Sequence, residues 1–375
     1  MDAVIYDGMT SQKKTAAKIN NYKLMLKNIL NLTKAELVDE IKQLKLPAFR
    51  ANQIWNWLYV FAAKDFSQMA NIGKALQDLL AQNFAITYSG ISKDILSQDG
   101  TRKWLIKLHD DKEVETVFIP EETRGTLCIS SQVGCTLACK FCYTGTQLFV
   151  RNLTADEIVG QVLIAKELLV DKKITNIVFM GMGEPFYNYD NVAKAVKILT
   201  DMDGLAFSNR RITISTSGLV PEILRCATEL KTCLAISLHA PNDEVRTAIM
   251  AINKKYPLAE LMAACKEYIK INPNKKIMLE YVMLKDVNDE IKHAQELVKL
   301  IQKSNLSCKI NMIPFNSWMG CGYERSSDDK IIAFQKILKK ANLIATVRKT
   351  RGDDVLAACG QLKSASKRMK NSPRL

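Results

Sequence analysis

From residue 126 to residue 348 the chain alternates between two spacings of apolar positions. Short apolar runs recur at 126–130, 176–180, 211–215, 233–238, 277–283, 308–313 and 344–348. Between them, over 154–169, 191–201, 220–229, 258–271, 289–303 and 328–341, apolar residues return every three or four positions. The first pattern predicts buried strands and the second amphipathic helices. Strands joined by helices predict a parallel sheet with right-handed crossovers, hence an α/β fold. Six such units predict a complete or partial barrel, with ligands gathered at the carboxyl ends of the strands.

Upstream the pattern changes twice. Residues 21–84 read as a small helical domain. Thr33 and Glu36 form a capping box ahead of Leu37, Ile41 and Leu44, and Pro47 ends that helix. Ile54, Trp57, Leu58 and Phe61 share a face of a second helix, and Ile72, Leu76, Leu79 and Leu80 mark a third. Lys42, Lys45, Arg50, Lys64 and Lys74 stud this domain, which suits an RNA-contacting module; a helical cap on a catalytic domain accounts for it equally. Residues 85–125 switch to period two, with Trp104, Ile106 and Leu108 on one face and turn signals at Asp99–Gly100 and His109–Lys112. They read as an antiparallel β linker or extension. Residues 1–20 are expected as a flexible amino terminus, 126–350 as the barrel, and 351–375 as a carboxyl-terminal segment ending in a basic tail.

Charge adds a partner. Lys and Arg number 53 against 39 Asp and Glu, a net +14, which points to a polyanion, nucleic acid ahead of an anionic membrane surface. A merely solvated basic surface is the plain alternative. A hydrophobic share of 47% excludes a disordered chain. No run approaches the roughly 18 apolar residues of a membrane span, and Met1–Thr10 lacks the apolar core of a signal peptide. A soluble cytoplasmic protein is therefore expected, with ten cysteines serving as free thiols, ligands or catalysts rather than as disulfides.

Three of those cysteines carry the first chemistry. Cys135, Cys139 and Cys142 follow the first barrel strand in the spacing Cys-x3-Cys-x2-Cys, with Phe141 beside the third. Structural zinc usually takes four ligands in two close pairs. Three close cysteines suit a [4Fe–4S] cluster with one iron left open. Zinc and ordinary loop cysteines remain alternatives, and Cys128 in the preceding strand is a candidate fourth ligand. Cys226, Cys233, Cys265 and Cys308 fall in apolar segments and read as core.

The cysteine spacing with Phe141 resembles the signature of the radical S-adenosylmethionine (SAM) superfamily. Gly181–Pro185 (GMGEP), after the next strand, resembles that superfamily's segment contacting the amino group of SAM. Within the superfamily the chain is similar to the RNA adenine-C2 methyltransferases of the RlmN family. The shared stretches are VETV at 114–117, SQVGC at 131–135, RNLT at 151–154, ITISTSG at 212–218 and ISLHAPND at 236–243. They continue with INKKY at 252–256, EYVML at 280–284, KINMIP at 309–314 and VRKTRGDDVLAACGQL at 347–362. Ser317–Gly322, with its extra thiol Cys321, departs from the family's pattern, and Tyr143–Gln147 varies among its branches.

The resemblance implies a partial (β/α)6 TIM-like barrel holding a [4Fe–4S] cluster on Cys135, Cys139 and Cys142. It implies two SAM molecules per turnover, bound by Phe141, Gly183, Glu184, Ser215, Ser237, Leu238, His239 and Asn316. Adenine C2 is electron-poor and cannot attack a SAM methyl group, so a carbon radical must add to it. The resemblance assigns the methyl carrier to Cys359 and the resolving thiol, which frees the RNA through a disulfide, to Cys128. It assigns proton transfer or base contact to Glu115. The plain readings are a small buried cysteine, a strand-core cysteine and an exposed strand carboxylate. The implied substrates are adenine 2503 of 23S rRNA and adenine 37 of tRNA, and a low-potential flavodoxin- or ferredoxin-type electron donor is expected. A monomer with no membrane partner is expected. Arg348, Lys349, Arg351, Arg210 and Arg211 are candidate phosphate contacts. The rivals are an adenine-C8 methyltransferase with the same machinery, a radical activase acting on a protein glycine, and a non-catalytic iron–sulfur RNA-binding protein.

Overall fold

The computed structural model describes residues 26–364 and residue 366, so the expectations for residues 1–20 and for most of the basic tail lie outside the described residues. Two compact units emerge. Residues up to Tyr88 with Asp203–Leu205 form one, and Ser89–Met202 with Ala206 onward form the other.

The smaller unit holds a two-residue parallel pair, β1 (Lys27–Asn28) and β2 (Phe84–Ala85), around three helices, α1 (Lys34–Gln43), α2 (Phe49–Tyr59) and α3 (Lys74–Asn83). The capping box at α1 forms as the sequence predicts: Glu36 N donates to Thr33 Oγ1 at 3.3 Å and Thr33 N to Glu36 Oε2 at 2.7 Å. The core face of α2 is Ala51, Ile54, Trp55, Leu58 and Tyr59. It is rotated from the predicted Ile54–Trp57–Leu58–Phe61 face, leaving Phe61 64% exposed. The buried set runs i, i+3, i+4, i+7, i+8 from Ala51 and takes in Trp55 and Tyr59, where the pattern from Ile54 would take in Trp57 and Phe61.

The larger unit is built on one ten-stranded sheet. Its antiparallel arm is β3 (Gly90–Leu96), β4 (Arg102–Lys107) and β5 (Glu113–Pro120). β5 pairs antiparallel with β6 (Gly125–Cys128), so the arm continues the main sheet rather than standing apart. A small hairpin, β7 (Gln132–Val133) with β8 (Arg151–Asn152), encloses the cysteine loop. The parallel strands then run in chain order: β9 (Asn176–Phe179), β10 (Ile212–Thr216), β11 (Cys233–Ser237), β12 (Ile277–Met283), β13 (Cys308–Pro314) and β14 (Ala345–Val347). The crossover helices are α4 (Ala155–Leu168), α5 (Tyr189–Thr200), α6 (Val220–Glu229), α7 (Asp243–Ile249) with α8 (Leu258–Ile271), α9 (Ile291–Ser304) and α10 (Asp328–Lys340). β3 and β14 remain edges, so this is an open, partial (β/α)6 barrel with a seventh parallel strand. The short α7 has no signal in the apolar pattern.

Two buried polar side chains tie the strand ends together. Gln161 of α4 accepts from Ser130 N and Thr116 Oγ1, both at 2.8 Å. Arg246 of α7 is fully buried. Its guanidinium donates to the carbonyls of Ser217 (2.7 Å), Leu238 (3.1 Å) and Ser237 (3.1 Å) and to Asn253 Oδ1 (2.8 Å). One side chain thus sets the spacing of the turns after β10 and β11. Replacing it with methionine strands those carbonyls without a donor. Arg246→Met should cost about 3 kcal/mol of unfolding free energy, read as a lower urea midpoint at unchanged slope.

Candidate active site

The carboxyl ends of the parallel strands surround an open cavity of about 960 Å³, counted to its mouth. Cys135, Cys139 and Cys142 line one wall. Their loop is pinned at several points. Cys142 N donates to Cys139 O at 3.1 Å, Lys140 N to Ile249 O at 3.1 Å, and Gly145 N to Cys142 O at 3.0 Å. Gly134 stands at φ +75°, and a Cβ there would lie 2.2 Å from Leu148 O, so only glycine turns the chain out of β7.

Burial, reinforced by their mutual charges, pushes the Cys135 thiol well up and the Cys139 thiol to about 12; burial raises Cys142 as well. Such thiols lose their protons to a strong Lewis acid or not at all. No three His, Cys, Asp or Glu side chains among the described residues converge as one metal ion would need. A cubane asks for less convergence, since each thiolate takes a different iron, and the three cysteines fit it.

Opposite the cysteines lies the Gly-Met-Gly-Glu turn. Gly183 is at φ +97°, with a Cβ position 2.5 Å from Gln132. Glu184, buried on the wall, accepts from Ser217 N at 2.8 Å and Phe186 N at 3.1 Å. Gln132 binds this turn to the cysteine loop: its Oε1 accepts from Glu184 N at 2.9 Å, and its Nε2 donates to Thr136 Oγ1 at 3.0 Å. The sequence reading passed over Gln132; an amide just ahead of the glycine that opens the loop was the available signal. Ser215, Ser237, His239 and Phe141 line the same cavity. Leu238 is buried behind it and holds the turn through Leu238 N to Glu280 O, 3.1 Å. Asn316 lines a second, neighbouring cavity instead, where its Nδ2 donates to Cys359 O at 3.2 Å.

That second cavity, about 450 Å³, carries both remaining thiols, Cys128 and Cys359. Cys359 lines the larger cavity too, as do Met180, Ile313 and Arg348, so the two spaces share a wall. Burial, then the charge of Cys359, pushes the Cys128 thiol up to about 12, and Arg348 pulls the other way. Cys359 rides on a carboxyl-terminal strap held on both flanks. Tyr143 N donates to Gly360 O at 2.7 Å, and Gln361 Nε2 to Ser317 O at 2.8 Å. Lys103 Nζ donates to Leu356 O at 3.1 Å, and Lys363 N to Glu115 Oε2 at 2.8 Å. Lys103 and Glu115 are themselves a buried ion pair at 2.9 Å. Glu115 therefore lines neither cavity, and both its oxygens are engaged.

The two segments that depart from the family's pattern meet at the strap. Tyr143 and Trp318 stack at 4.6 Å and 14°, with Lys363 over the Tyr143 ring. Of the candidate phosphate contacts, Arg348 faces both cavities and Arg351 pairs with Asp99 at 3.8 Å. Arg210 and Arg211, the further candidates, precede β10 and so stand at the opposite end of the strand from Ser215. Cys226 and Cys265 are buried as expected, but Cys233 and Cys308 are only half-buried, because they begin β11 and β13 where the sheet meets its loops.

His239 sets a pH limit on the site. It sits at φ +58°, its Nδ1 accepts from Val282 N at 3.0 Å, and Phe141 meets its ring edge-on at 4.8 Å. Burial, then the charge of Arg246, lowers its pKa from 6.5 to about 3, so the folded chain holds it neutral. The unfolded chain binds the proton first, so this contribution to stability is complete above pH 6.5 and is lost as pH falls toward about 3. Urea unfolding between pH 5 and 7 should show that slope, and His239→Asn, which keeps an acceptor and tolerates the left-handed backbone, should flatten it.

Comparison with known proteins identifies the family and the fold. The radical SAM superfamily profile covers residues 129–298, and that of the ribosomal RNA large subunit methyltransferase N-terminal domain covers residues 27–86. The dual-specificity RNA methyltransferase RlmN of Sinorhizobium fredii is 51% identical over 347 residues, 87% of this chain and 84% of the relative. Its counterpart in Rhodospirillum rubrum is 50% identical over 353 residues, 92% of this chain and 82% of the relative. The crystal structure of a radical SAM methyltransferase from Sphaerobacter thermophilus superposes with a TM-score of 0.85 at 41% identity, over 90% of this chain and 99% of that one. The chain belongs to the RlmN family of radical SAM methyltransferases.

Proposed function

We propose that this protein methylates C2 of adenine, at position 2503 of 23S rRNA and position 37 of tRNA, through a methyl group carried on Cys359. The observation that carries the reading is the placement of Cys359 on the wall shared by two cavities, one lined by the cluster cysteines and the other by Cys128. A single carrier thiol reaches both.

The [4Fe–4S] cluster and SAM supply, when bound, a radical able to take a hydrogen atom from a methyl group, given one electron from a low-potential flavodoxin- or ferredoxin-type donor. Cys135, Cys139 and Cys142 would hold the cluster. Glu184, held by Ser217 N and Phe186 N, would present its carboxylate to the amino group of SAM. Cys359 Sγ, as thiolate, takes the methyl of a first SAM, forming a sulfur–carbon bond and leaving S-adenosylhomocysteine. After the carbon has joined C2, Cys128 Sγ bonds to Cys359 Sγ. Before that, the adduct loses the C2 proton and returns one electron to the donor. The Cys359 sulfur–carbon bond then breaks with its electron pair on the carbon, which takes a proton to become the methyl group. The RNA is freed, and an external dithiol reduces the disulfide. Burial favours the protonated Cys128 thiol, so it can take the proton lost from C2, or bond to sulfur, only after giving up its own. Glu115 acts in this scheme through the strap it holds, as a positioning residue. The helical unit, with Phe49 and Phe61 exposed and Arg50 lying over the Phe49 ring, is the proposed RNA-contacting module, and the protein acts as a monomer.

Two substitutions test the thiols. Cys359→Ala should abolish turnover and leave no methyl-cysteine on digestion. Cys128→Ala should accumulate protein covalently joined to RNA, visible as a shifted band on a denaturing gel. Nuclease digestion of wild-type product should yield 2-methyladenine, and 8-methyladenine would overturn the assignment of position.

A further inference from the structure

Glu280 lies at the middle of β12 with its side chain on the wall of the larger cavity. It is 4% exposed. One carboxylate oxygen, Oε2, accepts from Asn311 Nδ2 at 2.8 Å, and Asn311 is its register partner on β13. The other, Oε1, is buried with no hydrogen-bond partner among the described residues. The backbone beside it is fixed: Glu280 O accepts from Leu238 N and His239 N, each at 3.1 Å. The carboxylate itself is held on the wall by Asn311 and by burial. Burial raises the Glu280 carboxyl pKa, and the charge of Arg348, which lines the same cavity, and the Asn311 bond pull the other way.

A buried acceptor without a donor destabilises a fold, and native proteins keep few of them. An apolar side chain at the middle of a buried strand would pack without that penalty. The orphan oxygen is therefore matched to something absent from the chain itself. The missing group must be a hydrogen-bond donor, which excludes phosphate or carboxylate, since either would meet like charge. The neighbouring Val282, Ile313 and Phe315 offer apolar surface to a flat ring.

We infer that Glu280 is a ligand-binding residue whose Oε1 accepts a hydrogen bond from an adenosine group seated in the cavity, through a ribose hydroxyl or the ring's amino group. This rests on the function proposed above, under which two adenosines enter the cavity, one belonging to SAM and one to the target RNA. Glu280→Gln keeps the shape and an acceptor for Asn311 but removes the charge and turns a donor toward the ligand.

The test uses full-length, cluster-reconstituted wild-type protein and Glu280→Gln. Three quantities are measured: SAM binding by equilibrium dialysis, formation of S-methyl-Cys359 without RNA, and methyl transfer to RNA from pre-methylated enzyme. A tenfold or greater loss of SAM affinity assigns the contact to SAM. Unchanged SAM affinity and normal S-methyl-Cys359 with at least tenfold slower transfer assigns it to the target adenosine. Both rates and SAM affinity within twofold of wild type overturn the inference. Thermal unfolding separates a structural role: the ligand-free variant should melt at or above wild type, and a clear drop would also overturn it. Wild-type protein that neither binds SAM nor methylates RNA would instead sink the functional reading.

Discussion

The buried ion pair between Lys103 and Glu115 is what the placement of Cys359 depends on. Two charges removed from water need excellent geometry and further hydrogen bonds to be tolerated. Here those further bonds go to Leu356 O and Lys363 N, one on each side of Cys359. The pair thus converts the antiparallel arm of the sheet into an anchor for a chain segment about 250 residues away. A strap of irregular backbone has little stability of its own, so its course over the strand ends is set by such anchors. The stacked Tyr143 and Trp318, together with Asn316 and Gln361, complete the enclosure from the cysteine-loop side.

The parallel register does the same for the opposite wall. Ser237, Glu280 and Asn311 are level with one another across three strands, so residues distant in sequence present a continuous polar row. Arg246 and Gln132 then fix the turns that leave those strands and the turns facing them. The site's loops are bonded to one another, and its thiols are ordered in space: Cys135, Cys139 and Cys142 in the larger cavity, Cys359 on the shared wall, and Cys128 in the second cavity.

Much of this was legible in the sequence, and the pattern of success has physical reasons. Buried parallel strands and their crossover helices differ in apolar period, so their positions were readable to within a few residues. Closely spaced motifs such as Cys135–Cys142 and Gly181–Glu184 were readable because their chemistry is local. The face of α2 was misplaced because two overlapping periodic patterns differ only in which aromatics they bury. Roles that arise from long-range pairing left no such signal. Glu115 gave no sign that Lys103 and the strap would engage both its oxygens. Asn316 reads as a cofactor contact, and nothing in the sequence signals that its amide also clasps the Cys359 carbonyl. Arg210 and Arg211 needed the direction of β10 before their distance from the cavity could be seen.

The central claim is that the methyl group travels through Cys359, and a pulse–chase tests it most directly. Enzyme incubated with methyl-labelled SAM in the absence of RNA, then freed of SAM and digested, should carry the label on the peptide containing Cys359. Adding RNA with unlabelled SAM and reductant should move that label, as an intact carbon, to C2 of adenine. Label that never appears on Cys359, or RNA that acquires its methyl only from the second SAM pool, would contradict the account.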